Sequence, residues 1–351
     1  GKGPTMRPIW QPRAVSSRAV QEEIIINSAA ANRAVRPLAS AELILNSQVA
    51  QALAVIGDRW AFLIIRDVYQ GVRQFEELRR LRGASRGTLA SRLKNLVENG
   101  ILYKNPYRDA PVRYEYRLTD KGLDLYPIVL TVWRWETTWS RADERPPGLV
   151  HSICGKSMHP RFRCRHCHAD LKIEDVSFSA GRDPVVAKKV PPRFQRRSKS
   201  RDLAENDTDP RSIHYLDIIG DRWTALVVAA AFFGLQRFDE ILGAIGIATN
   251  ILSDRLKLLV EAGILNRVPY QDKPLRYEYH LSDKGRDVYA STVAMHEWAN
   301  RWLIGQGEQP IKLKHKPCGK TFESELVCDQ CEGPLLPSEV KRSAGQYGVE
   351  T

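Results

Sequence analysis

One stretch of this chain is written twice, and nothing else constrains its fold as strongly. Gly57–Trp60 reads GDRW, and Gly220–Trp223 reads GDRW again, an offset of 163 residues. The offset holds without a gap for about eighty residues. Phe75 returns as Phe238, Leu89 as Leu252, and Arg92–Leu93 as Arg255–Leu256. RYEY at Arg113–Tyr116 returns at Arg276–Tyr279, DKG at Asp120–Gly122 returns at Asp283–Gly285, and Trp135 and Trp139 return as Trp298 and Trp302. Two copies of so long a unit mean tandem domains, not a solenoid.

The first copy alternates between two periodicities. SQVAQALAVIG has apolar residues at helical spacing, and Gly57 breaks it. Asp58 is placed to cap a second helix, RWAFLIIRDVY, by accepting from free backbone N–H groups. QFEELRRL is a short third segment, GAS a turn, and Ser85 an N-cap for RGTLASRLKNLVENG. In that helix Leu89, Leu93, Leu96 and Val97 form one buried stripe, and Gly100 ends it. The period then falls to two. ILYKNPY and VRYEYRL are short strands joined by RDAP, with Tyr114, Tyr116 and Leu118 on one face. One long helix, KGLDLYPIVLTVWRWETTW, closes the unit, with Pro127 tolerated in its first turns. Helix, helix, recognition-type helix, hairpin, helix is a winged helix-turn-helix.

At these residues the chain resembles the HxlR-type winged helix-turn-helix regulators, relatives of the MarR type. GDRW…LII, QFEELRR, SRGTLASRLKNLVENGIL, YRDAPVRYEYRLTDKG and the terminal pair of tryptophans carry the likeness. It covers about residues 46–140 and 209–303. The resemblance implies that the terminal helix, helped by the N-terminal one, makes a dimer and that the third helix enters the DNA major groove. Such proteins usually carry one module, and several carry a redox-active cysteine near the first helix. Neither module has that cysteine, so thiol sensing at that position is not expected.

With the leucine stripe facing inward, Ser85, Arg86, Thr88, Ser91, Arg92 and Asn95 face outward. Side chains at a helix N-terminus reach base edges, which favours Arg86, Thr88 and Ser91; Arg92 suits a phosphate. In the second copy Thr249, Asn250, Ser253, Arg255 and Lys257 hold the corresponding places, with no counterpart of Arg86 and an added Asp254. This copy either reads a different half-site or has become a packing partner; its basic wing favours the first. Arg108 and Arg113 on one wing, Lys273 and Arg276 on the other, are candidates for phosphate or minor-groove contact. Tyr114, Tyr277, Trp60 and Trp223 read as core residues.

All six cysteines fall in two copies of His-x2-Cys-x9-Cys-x2-Cys, offset by 164. Cys3His is a standard structural set for tetrahedral zinc, and in a reducing compartment clustered cysteines point to metal ahead of disulfides. The expected ligands are His151, Cys154, Cys164 and Cys167 for one Zn2+, and His315, Cys318, Cys328 and Cys331 for a second. Iron in a rubredoxin-like site and a thiol redox pair are the alternatives. His159, His166 and His168 are rival donors in the first tail, but the second has only His315. Lys156, Arg161, Arg163 and Arg165 surround the first cluster and offset its negative charge. Four protein ligands leave no position for a reacting water. No Ser/His/Asp set, phosphate loop or carboxylate pair stands in a credible context, so no enzyme is expected.

A net charge of +12 and a pI near 9.5 favour a polyanionic partner. No apolar run approaches the roughly 20 residues of a membrane span, and the N-terminus lacks the apolar core of a secretory signal. Gly1–Thr5 reads as an expression scar ahead of a start at Met6. The cytoplasm, with nucleoid association, is the expected location. The fold class is mainly α with small β wings: two winged helix-turn-helix modules, each followed by a small Cys3His zinc-ribbon-like tail. The expected boundaries are an extension over 1–45, modules over 46–142 and 209–305, and zinc tails over 148–172 and 311–336. A basic flexible linker covers 173–208, and a C-terminal tail 337–351. KKVPPRFQRRSKSR in the linker has seven basic residues and no acidic one, and is a solvated spacer or a phosphate-binding arm. The function expected is a bacterial-type, sequence-specific regulator of double-stranded DNA working as an internal pseudo-dimer, or as a homodimer of chains. A zinc- or small-ligand-responsive sensor, with an effector entering between the long helices, and a non-specific nucleoid or RNA binder are the alternatives.

Overall fold

The structure, a computed structural model, describes residues 41–110, 112–181, 214–305 and 309–343. The EEIIIN segment of the extension and the basic run Lys188–Arg201 lie outside the described residues. Helix α1 (Ala41–Leu45) leads into α2 (Gln48–Ile56), where Ser47 accepts from the Ala50 N–H as N-cap. Asp58 caps α3 (Arg59–Tyr69), its carboxylate accepting from the N–H groups of Trp60 and Ala61. Helix α4 (Phe75–Arg82) ends at Gly83, whose left-handed φ of 59° costs a glycine nothing. Ser85 caps α5 (Arg86–Glu98) by accepting from the Thr88 N–H. Leu89, Leu93 and Leu96 are fully buried, as the stripe requires. Strands β1 (Leu102–Asp109) and β2 (Val112–Leu118) pair antiparallel as the wing.

The terminal helix differs from expectation. It is broken into α6 (Asp120–Leu123) and α7 (Tyr126–Trp139), with Pro127 in the first turn of the second piece. Proline is not the cause, because the repeat breaks at the same place with alanine there (Ala290). The short first piece is instead pinned to the core. Gly122 lies so close to the Ile101 carbonyl that a Cβ would come within 2.2 Å of its oxygen, and Gly285 repeats this against Ile264.

The tail follows as β3 (Leu149–His151), β4 (Lys156–Met158), β5 (Pro160–Cys164) and β6 (Val176–Ala180). The second module repeats the first: α8 (His214–Ile219), α9 (Arg222–Phe232), α10 (Phe238–Ile245), α11 (Thr249–Glu261), wing β7 (Leu265–Asp272) and β8 (Leu275–Leu281), then α12 (Asp283–Arg286) and α13 (Tyr289–Trp302). Its tail contains β9 (Ile311–His315), β10 (Ser324–Cys328) and β11 (Val340–Arg342).

The two modules share one core, because each sends its outer helices across to the other. Helix α7 packs on α13; α2 packs on α13 and α9, while α8 packs on α7. The contacts are returned at equivalent positions. Trp135 Nε1 donates to the Lys284 carbonyl and Trp298 Nε1 to the Lys121 carbonyl, both at 3.0 Å. Trp139 Nε1 donates to Asp287, and Trp302 Nε1 to Asp124. Trp135 and Trp298 are also fully buried. Truncating an indole so placed costs about 3–5 kcal/mol, so this seam is a main source of cohesion.

The tails cross as well. Strand β5 pairs antiparallel with β10, with Phe162 opposite its repeat counterpart Leu326 at the centre. Strand β6 pairs with β9, and β11 pairs with β3. Val176–Ala180 therefore belongs to the second tail's sheet, although it falls within the segment read as flexible linker. Val340–Arg342, read as C-terminal tail, likewise completes the sheet of the first. Among the described residues no single helix is long and apolar enough to cross a membrane.

Candidate nucleic-acid interface and metal centres

Helix α5 presents its N-terminal turn to solvent. Arg86 is 72% exposed in its side chain and pairs with Glu76 at 2.8 Å. A surface pair of this kind is worth about 0–1 kcal/mol, so it holds the guanidinium only weakly. Ser91 is exposed and Thr88 half-buried. The hydroxyls of Ser85 and Thr88 lie 2.9 Å apart, so both hold the helix start as well as facing outward. Asn95 sits farther along, half-buried, its Oδ1 accepting from Asn99 Nδ2 at 3.0 Å. In α11, Thr249, Asn250, Ser253 and Lys257 are exposed; Ser253 Oγ donates to the Thr249 carbonyl, and Lys257 lies 3.8 Å from Glu261.

One expected DNA contact, Arg255, is corrected. Arg255 is only 6% exposed, and its Nε lies 3.1–3.2 Å from both carboxylate oxygens of Asp221, the cap of α9. Arg92 makes the looser version of this bond, 3.5 Å to Asp58, with its side chain 20% exposed. Each arginine ties its recognition-type helix back to the cap of the helix two before it, α3 or α9, and Arg255 does not face solvent.

Each wing carries exposed cations at its tip: Arg108 opposite Arg113, and Lys273 and Arg276 on the second. Tyr114 is a further correction, being 46% exposed where the hairpin runs out beyond the core. Its repeat counterpart Tyr277 is half-buried. Two exposed cations were missed. Lys104 stands 5.8 Å over the Tyr114 ring, and Arg267 stands 4.1 Å over the Tyr277 ring. They occupy one position of the repeat, which was the signal available in the sequence. Trp60 and Trp223 pack against the core as expected.

The six cysteines and two histidines do gather into two Cys3His groups, but crosswise. His151 and Cys154 meet Cys328 and Cys331; His315 and Cys318 meet Cys164 and Cys167. The within-tail grouping read from the spacing is therefore overturned. Its physical cause is the β5–β10 pairing, which carries each Cys-x2-Cys turn onto the opposite His-x2-Cys turn. The dimensions fit a metal. Around zinc, with bonds of about 2.3 Å to sulfur and 2.05 Å to nitrogen, tetrahedral edges are about 3.8 Å for S···S and 3.6 Å for N···S. Cys154 and Cys328 sulfurs are 4.0 Å apart, and His151 Nδ1 is 3.3 Å from Cys331 and 3.7 Å from Cys154. The second group repeats these edges at 4.0, 3.3 and 3.4 Å.

The electrostatics suit thiolates. The Lys156 N–H donates to Cys154 and brings its pKa down to about 7; the Lys320 N–H lowers that of Cys318 in the same way. Burial pushes the Cys164 and Cys328 thiols up. Zinc would offset that cost, since its ligands are held deprotonated. The rival histidines are drawn elsewhere. His159 meets the Trp133 ring at a 47° tilt, His166 lies 3.9 Å from Glu323, and His168 bonds Glu325 at 2.8 Å. Arg161 and Arg163, expected to neutralise the cluster, instead pair with acidic side chains, Arg163 reaching Glu325 at 2.7 Å and Glu332 at 3.2 Å in the other tail.

With this geometry in place, comparison with known proteins is decisive. The HxlR-like helix-turn-helix family matches residues 55–144 and again residues 218–306, over half of the chain. The chain belongs to this family. The double match bears out the tandem duplication. Similar relatives include an HTH-type transcriptional regulator of Mycobacterium tuberculosis H37Rv, 41% identical over 37% of this chain and 82% of its own. The HTH-type regulator YvaP of Bacillus subtilis is 35% identical over 29% of this chain and 94% of its own. A solved Pseudomonas aeruginosa protein, described as a putative transcription factor, is 34% identical, covering 39% of this chain and 93% of its own, with a TM-score of 0.31. The family match makes this chain a helix-turn-helix protein of transcription regulation and DNA binding.

Proposed function

We propose that the protein is a sequence-specific regulator that grips one double-stranded DNA site with both winged helices of a single chain. The carrying observation is the returned pair Trp135–Lys284 and Trp298–Lys121. In this reading the chain is an internal pseudo-dimer, and α5 and α11 stand in for the two recognition helices of a symmetric dimer. Such helices enter successive major grooves about 34–36 Å apart. Arg86, Thr88 and Ser91 read one half-site; Thr249, Asn250 and Ser253 read the other, with Lys257 nearby. The wing cations Arg108, Arg113, Lys273 and Arg276, joined by Lys104 and Arg267, hold phosphates.

Two zinc ions complete the reading as structural elements, one in each crossed Cys3His group. Bound there, zinc would tie the thiolates of one tail to the histidine of the other. Four protein ligands to each leave the sites closed, which supports bracing, not catalysis.

Footprinting with purified protein tests this. One chain per site, covering two unlike half-sites about one helical turn apart, is the expected result. A perfect palindrome occupied by two chains would reject the internal pseudo-dimer.

A further inference from the structure

Helices α5 and α11 begin at the same place in the repeat but differ in charge. Arg86 of α5 returns as Thr249 of α11, and Ser91 returns as Asp254. The second helix has thus lost a cation and gained an anion, on a chain whose net charge is +12. Asp254 is exposed, and among the described residues no hydrogen bond or ion pair answers its carboxylate. The neighbouring cations of α11 are engaged: Arg255 turns back to Asp221 at 3.1 Å, and Lys257 lies 3.8 Å from Glu261. At about 100° per residue, Asp254 stands opposite the buried stripe of Leu252, Leu256 and Leu259. It therefore lies on the outward crest of the helix, with exposed Asn250 one turn before it.

We infer that Asp254 sets base preference in the second half-site by accepting from the N4 amino group of a cytosine. This rests on the proposed grip of both winged helices on one DNA site. The reason is electrostatic. Phosphates repel a carboxylate that faces DNA, so Asp254 adds nothing to sequence-independent affinity. Only a donor on a base edge offsets that repulsion. In the major groove the base donors are the cytosine N4 and adenine N6 amino groups. Adenine N6 stands beside the N7 acceptor, which the second oxygen of a carboxylate would meet lone pair against lone pair. Asparagine, donor and acceptor together, suits adenine instead. Cytosine carries no acceptor beside N4 in that groove, and an ionised aspartate offers only acceptors. The first helix has neutral Ser91 at this position, so the preference belongs to one half-site.

The test uses full-length protein and the footprinted duplex, with each base pair of the second half-site changed in turn and binding read by fluorescence anisotropy. Wild type should lose about tenfold in affinity when one particular C·G pair is changed. Asp254→Ser copies the first module's residue. This variant should bind the original and the altered site within about threefold of each other. Its affinity for a random duplex should hold or rise, because a negative charge near phosphates is gone. Circular dichroism and melting curves verify its fold. A base preference that survives Asp254→Ser would overturn this inference alone. So would a preference lost at a pair other than C·G, or an equal loss of affinity on every sequence, which a purely structural role would give. A wild type indifferent to every base pair of that half-site would instead overturn the two-helix grip, and this inference with it.

Discussion

Cys154 and Cys328 are 174 residues apart in sequence, and their sulfurs lie 4.0 Å apart. Each metal group thus draws two ligands from each tail, so neither tail completes a site alone. This makes a sharp stoichiometric prediction. Replacing Cys154 and Cys328 together by alanine removes two ligands from one group and should leave one zinc site per chain. Replacing Cys154 and Cys164 together takes one ligand from each group and should abolish both. Zinc content of the purified variants checks it. The opposite ranking would mean that the tails bind metal separately. Chelation of the wild type should also loosen the tails, since structural zinc contributes directly to folding free energy.

Arg82 and Asp67 form a buried bidentate pair in the first module, Nε to Oδ2 at 2.6 Å. The same positions in the second module are Ile245 and Ala230, both buried. One fold therefore tolerates either solution. Arg82→Ala alone leaves the buried Asp67 carboxylate only the looser contact to Arg66 at 3.4 Å and should destabilise the protein by about 3 kcal/mol. Asp67→Ala with Arg82→Ile copies the second module and should be near neutral or stabilising, because the desolvation of two charges is no longer required. Chemical denaturation measures both. A double variant as unstable as the single one would show that the ion pair itself, not merely its completion, stabilises this module.

The helices and wings were legible because their signals are local. Asp58, Asp221 and Ser85 cap the helices that follow them, and the leucine stripe of α5 faces the core. Signals on the flank of a stripe were not decisive. Arg255 adjoins buried Leu252 and Leu256 on its helix, where a long side chain can turn either outward or back to the Asp221 cap. Strand alternation sorted Tyr116 inward but could not say how far the wing outruns the core, so Tyr114 was misplaced. The crossing of the tails was invisible for a different reason. His-x2-Cys and Cys-x2-Cys each supply half a tetrahedron, and any two complementary halves satisfy the metal. The cross-tail strand pairings, with Phe162 opposite Leu326 at the centre, decide which halves meet.

Burial holds His296 neutral, with its pKa brought down from 6.5 to about 4. Below pH 6.5 the unfolded chain takes up a proton that the native imidazole refuses, so stability falls with pH until about 4. The full effect is about 3 kcal/mol at 1.36 kcal/mol per unit. Glu136 and Glu297 act in the opposite sense, because burial raises both carboxyls and the native state gains stability as pH drops through their range. His296→Leu isolates the histidine. Stability differences between wild type and variant, measured by denaturation from pH 7 to 4.5, should shift steadily in the variant's favour as pH falls. A constant difference across that range would count against a neutral buried imidazole.

The exposed and buried arginines of the recognition-type helices should respond differently to loss of charge. Arg86 is open and weakly paired, so Arg86→Ala should cost about 1–3 kcal/mol of DNA affinity and relax base preference in one half-site only. The second half-site should be unaffected, because Thr249 stands at the equivalent position of α11. Lys104→Ala and Arg267→Ala should weaken binding evenly across sequences, each reducing the salt slope by about one phosphate contact. Arg255→Ala should leave the salt slope unchanged and lower thermal stability, since its Nε holds the Asp221 cap. Binding isotherms on the footprinted site at several salt concentrations, beside melting curves, separate these classes. A salt-slope change in Arg255→Ala without loss of stability would put that residue back at the DNA.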